Sequence, residues 1–107
     1  MRIAWTKEQL SLLAWSMRHK EKEVDIEWLA AYLSMWGPPR TRTGVRAKRE
    51  NLKHCLYLEG HRGLSNGNAL DRTVMAVRIG EPARFNRYCT SLVGNARSWH
   101  AKCVGGA

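Results

Sequence analysis

Gly37-Pro38-Pro39 divides this chain, because neither a helix nor a central strand can run through it. Two adjacent prolines remove two backbone donors and hold φ near about −65°, and a glycine ahead of them suits a helix exit. The element before the break must end there, and the next one must start afresh. Upstream, apolar residues recur at helical rather than strand spacing, so this half reads as short helices separated by sharp breaks.

The first helix has a marked start. Thr6 is a good N-cap, Gln9 completes a capping box, and Trp5 is placed to staple onto Leu10. Leu10, Leu13, Ala14 and Met17 follow as an apolar stripe, and Arg18-His19-Lys20 supplies cations suited to a C-terminus. The second helix repeats the plan. Asp25 caps it, Glu27 lies in its first turn, and Val24 can staple onto Leu29. Its stripe is Ile26, Leu29, Ala30 and Leu33, flanked by Trp28, Tyr32 and Trp36. The third helix opens with Thr41 as cap and runs to about His54, with Val45, Leu52 and Leu56 along one side. That stripe is thin, so a whole side should face solvent or a ligand.

Beyond Tyr57 the pattern weakens. Residues 58–68 are rich in Gly and Asn and read as a loop. Ala69–Ile79 reads as a helix, with a short strand around Thr73-Val74 and Val77 as the alternative. Gly80-Glu81-Pro82 breaks it. A last amphipathic segment spans roughly Ala83–Lys102, with Gly94 a point at which it can divide. The expected fold is mainly α: a three-helix unit over residues 1–55 and a basic helical extension over 56–107.

Charge is unevenly spread. Among the 107 residues the formal net charge is +9, yet residues 1–36 carry five basic and five acidic side chains. Residues 37–55 carry six basic and one acidic, and residues 56–107 seven basic and three acidic. A basic stripe beside a neutral scaffold favours a polyanionic partner, nucleic acid ahead of an acidic membrane. No apolar run approaches the roughly 20 residues that span a bilayer, and residues 1–7 lack a signal-peptide core. The expected setting is the cytoplasm, in association with the nucleoid.

Three cysteines at irregular spacing, Cys55, Cys89 and Cys103, read as free thiols in a reducing compartment. Cys55, His61, His100 and Cys103 could offer zinc two thiolates and two imidazoles, but without the tight spacing of a structural site. The expectation is therefore no metal and no cofactor. His61, Asn68, Asp71 and His100 are the residues from which a nuclease centre would have to be built. Acidic residues after Glu50 are only Glu59, Asp71 and Glu81, in no metal-holding motif, and no phosphate loop or nucleophile motif occurs. An enzyme is not expected. Trp5, Trp15, Trp28 and Trp36 could stack on bases, but their positions at helix starts and on apolar stripes favour the core. Trp99 could serve core, interface or nucleic acid.

Residues 5–52 resemble a Myb/SANT-type DNA-binding domain, a three-helix relative of the helix-turn-helix. The resemblance is carried by Trp5-Thr6-Lys7-Glu8-Gln9-Leu10, then Glu27-Trp28-Leu29-Ala30, then Arg40-Thr41-Arg42-Thr43-Gly44-Val45-Arg46-Ala47-Lys48-Arg49-Glu50-Asn51-Leu52. It covers just under half the chain. The family's third aromatic falls at Arg49, so Trp15 or Trp36 would have to complete the core, and the interval between the first two tryptophans is longer than the family's. The resemblance implies a third helix in the major groove of DNA. It implies that Arg42, Thr43, Arg46, Ala47 and Glu50 face bases, with Arg40, Lys48, Arg49 and Lys53 nearer phosphates. An Arg46–Glu50 pair on an exposed face is the plainer fate of those two residues. The expected role is sequence-specific transcriptional regulation on double-stranded DNA, alone or as a homodimer. The alternative is an RNA-binding or phage-type inhibitory protein acting on a nucleic-acid-containing complex.

Overall fold

Thr6 begins the first helix as its chemistry requires. Its Oγ1 accepts from the Gln9 amide at 3.1 Å, and Gln9 Oε1 accepts from the Thr6 amide at 3.3 Å. The computed structural model describes residues 4–56 and 69–105. In it α1 spans Lys7–Ser16, and its C-cap, Met17, comes just before the Arg18-His19-Lys20 cations. A single 3-10 turn at Glu21–Glu23 leads into α2, Ile26–Leu33, where the Asp25 side chain accepts from the Trp28 amide. Helix α2 ends well before Gly37, and its cap, Ser34, returns a hydroxyl bond to Ala30 O.

Helix α3 spans Arg42–Leu56, and Thr41 Oγ1 accepts from the Gly44 amide at 3.1 Å. Ala69–Gly80 forms α4, so this segment is helix and not strand. The last amphipathic segment is two helices, α5 (Pro82–Val93) and α6 (Ala96–Cys103). Gly94 separates them with φ 83°, a left-handed conformation that side chains resist, and Asn95 caps α6 by accepting from the Ser98 amide. No strand occurs among the described residues, and no helix there is long and apolar enough to cross a membrane.

The sequence exposes only one apolar stripe on α1, yet every residue from Gln9 to Ser16 is buried. A helix buried all round must be wrapped by others, and the C-terminal half supplies the wrapping. Trp15 stacks on Trp99 of α6 with ring centroids 4.6 Å apart. The Trp15 indole N–H donates to Asn86 Oδ1 of α5 at 3.0 Å, and the Cys89 thiol lies 3.7 Å from Ser11 O. At the entrance of α2, the Asp25 amide donates to Cys103 O at 2.6 Å. Residues from both halves therefore share one hydrophobic core. Helices α4 to α6 thus cover α1 within that core. The Cα radius of gyration, 13.2 Å, agrees with the ~13 Å of a single domain of this length.

Candidate nucleic-acid interface

The direction of α3 is set by the connection that enters it. Gln9, fully buried on α1, sends its amide to Leu33 O and Pro38 O, both at 2.8 Å. Thr6 Oγ1 donates to Trp36 O at 2.9 Å. Gly37 passes so close that a Cβ there would lie 2.7 Å from Thr6 Cγ2 and 2.8 Å from Gln9 Cδ. Arg40 completes the brace. Its backbone amide donates to Ser34 Oγ at 2.9 Å, its Nε to Gln9 Oε1 at 3.3 Å and its Nη2 to Ala4 O at 2.8 Å. Its guanidinium also sits 4.4 Å from the centroid of the Trp5 ring, a cation–π contact. Arg40 was expected near phosphate; here it is a clamp holding the start of α3 to the start of α1, and burial pulls its pKa below the usual arginine value.

The rotation of α3 about its axis is set by three inward side chains. Val45 and Leu52 are fully buried, and Arg49 between them is 1 % exposed. Arg49, expected nearer phosphate, is thus turned into the core and away from the outer face of α3. Its Nη2 donates to Ser16 O at 3.2 Å and to His19 O at 3.1 Å, satisfying carbonyls where α1 ends. Burial lowers its pKa, while Glu21 opposes the shift. Arg49 is therefore the buried side chain between Val45 and Leu52 on the inward face of α3. Its spacing, four after Val45 and three before Leu52, was the legible signal.

Two more expected phosphate contacts have carboxylate partners within the chain, Lys48 in the packing and Lys53 at the surface. Lys48 Nζ lies 3.2 Å from Oδ2 of the wholly buried Asp71, joining α3 to α4, and its side chain is 13 % exposed. Lys53 bonds both Glu21 and Glu50 and is held protonated above its usual value, chiefly by its hydrogen bond to Glu21. Glu21 is correspondingly lowered by Lys53. Glu50 thus pairs with Lys53 and not with Arg46.

The five residues assigned to bases, Arg42, Thr43, Arg46, Ala47 and Glu50, are all exposed along one side of α3. Arg42 Nη1 meets Glu27 Oε1 at 3.2 Å with both side chains more than half in water. Such a pair contributes about 0–1 kcal/mol and yields readily to a stronger anion. Arg46 forms no hydrogen bond or ion pair among the described residues. Helix α3 therefore places an uncommitted guanidinium at the centre of its outer face. No family model, no curated protein and no solved structure matches this chain.

The other candidate chemistry falls only partly within the described residues. Cys55 and His61 of the zinc set, and His61 and Asn68 of the nuclease set, lie outside the residues whose side chains are described. Asp71 is bound to Lys48, and Cys103 is buried with its thiol pushed up to about 11 by burial. No group of three or more metal-binding side chains occurs among the described residues. Trp99 is core, stacked on Trp15.

Proposed function

We propose that this chain binds double-stranded DNA and regulates transcription by laying the outer face of α3 in the major groove. The observation that carries the reading is the division of α3. One face is locked by Val45, Arg49 and Leu52, and the other exposes Arg42, Thr43, Arg46, Ala47 and Glu50 with Arg46 unpaired among the described residues. The helix is about 22 Å long at 1.5 Å per residue, and a major groove about 12 Å wide admits it. Arg46 reads guanine through its two acceptors, and Arg42 exchanges Glu27 for a phosphate or a second base edge. The +9 net charge supplies the non-specific attraction that brings the faces together.

Selection of bound sequences from random duplexes tests this, followed by competition of the selected duplex against single strands and structured RNA at fixed salt. Duplex DNA is expected to win, and Arg46→Ala to lose about 1–3 kcal/mol on the selected site while binding random duplex nearly as before. Stronger competition by RNA or single strands would overturn the proposal. A palindromic consensus would mark a homodimer reading two half-sites.

A further inference from the structure

An open surface cleft of about 480 Å³ lies where the end of α1, the end of α4 and the start of α5 meet, lined by buried Trp15 and Phe85, half-buried Arg78, and exposed Arg18, Pro82 and Asn86. It shares no residue with the outer face of α3. Two of its six lining residues are cationic and none is acidic. Neither arginine forms an ion pair among the described residues, and Glu81, the carboxylate next to Pro82, is bonded to Arg84 instead. The polar lining is held from behind. Arg18 Nη1 donates to His100 Nε2 at 2.9 Å, and His100 Nδ1 donates onward to His19 Nε2 at 3.2 Å, which fixes His100 as the neutral Nδ1–H tautomer. The Trp15 indole occupies Asn86 Oδ1 and so leaves the Asn86 amide as a donor. Burial also lowers the pKa of Arg78, a cost that an anion alongside it relieves.

We infer that this cleft is a binding site for a small organic anion, a carboxylate or phosphate monoester carrying a flat apolar body. Arg18, Arg78 and the Asn86 amide take the anionic group, and Trp15, Phe85 and Pro82 receive the body. Size and composition suit this: ligand sites of about 300–1,000 Å³ are mostly apolar with a few fixed polar groups. A backbone phosphate of a polymer would use the cations and leave the aromatic floor idle.

The test monitors the Trp15 indole and Asn86 side-chain amide resonances while the full-length protein is titrated with benzoate, phenyl phosphate, inorganic phosphate or benzyl alcohol. Benzoate and phenyl phosphate are expected to shift both signals saturably, and inorganic phosphate and benzyl alcohol at least tenfold more weakly. Arg78→Gln is expected to weaken the aryl anions at least tenfold, and Arg72→Gln, on the exposed side of α4, to leave them unchanged. Retention of the parent's dispersed indole signals in each variant shows that it is folded. Three results would overturn the inference: no saturable shift with either aryl anion, equal binding of either single-feature probe, or an Arg78→Gln variant that binds like the parent. Failure of the DNA proposal leaves all of these readouts unaffected.

Discussion

Replacing Arg49 by methionine separates a structural arginine from a DNA-contacting one. The side chain gives two hydrogen bonds from a charged donor to Ser16 O and His19 O, at about 1.5–3 kcal/mol each, so the substitution forfeits about 3–6 kcal/mol. Against that, Arg49 Nε and Nη1 are buried without hydrogen-bond partners among the described residues, and leaving such donors unmet costs about 1–3 kcal/mol each. Methionine removes that penalty together with the burial of a charge, and it keeps most of the volume. The terms nearly cancel, so Arg49→Met is expected to stay within about 2 kcal/mol of the parent. Arg49→Ala leaves a cavity as well and is expected to lose about 3–5 kcal/mol. At about 4 °C per kcal/mol for a domain of this size, thermal melts separate the two variants clearly. The decisive assay is the dependence of duplex affinity on salt. Each phosphate contact contributes about 0.9 to the log–log slope, and a buried Arg49 contributes none. A folded Arg49→Met protein whose slope falls by about 0.9 would place the guanidinium at the DNA surface and refute the reasoning.

The same contacts give three further expected outcomes. Gly37→Ala drives a Cβ to 2.7 Å from Thr6 Cγ2 and into Gln9, whose amide is already bound at both ends. Urea titration should show a loss of about 1–3 kcal/mol. His100 is pushed down to about 4 by burial first and then by Arg18 and His19. Its stabilising effect is complete above the unfolded value of 6.5 and is lost as pH falls towards 4, because the unfolded chain takes up the proton first. Solvent on the open side trims a full linkage of about 3 kcal/mol to about 1–2 kcal/mol, so His100→Gln should flatten the acid limb of a melting-temperature profile. Burial raises the Cys89 and Cys103 thiols to about 12 and about 11, so both should resist iodoacetamide at pH 8 in the native protein and react once it is unfolded.

The helix starts were legible because capping is local chemistry. Thr6, Asp25 and Thr41 each satisfy an amide three residues on, and that pattern is written in consecutive residues. The outer face of α3 was legible for a related reason, since Val45 and Leu52 set its rotation. What escaped were side chains whose partners lie far along the chain. Gln9 was readable as half of a capping box, but its bonds to Leu33 and Pro38 depend on where α2 ends. Arg40, Lys48 and Arg49 read as surface charge because composition cannot show a cation spent on Trp5, on Asp71 or on helix-end carbonyls. The cover over α1 escaped too, since Leu12 and Trp15 lie off its apolar stripe, and Trp15 meets Asn86 of α5 and Trp99 of α6, far along the chain.

The bond from the Asp25 amide to Cys103 O has a consequence in time. The ribosome releases α1, α2 and α3 first, and at that stage Trp15 lacks Trp99 and the entrance of α2 lacks its carbonyl partner. The emerging chain then has a cationic helix before it has a finished scaffold to orient it. A stall after Val93 would leave aromatic surface bare beside six positive charges, a combination that draws nonspecific polyanions and chaperones alike. The contacts that brace α1 and the entrance of α2 thus form only once α6 is available to make them.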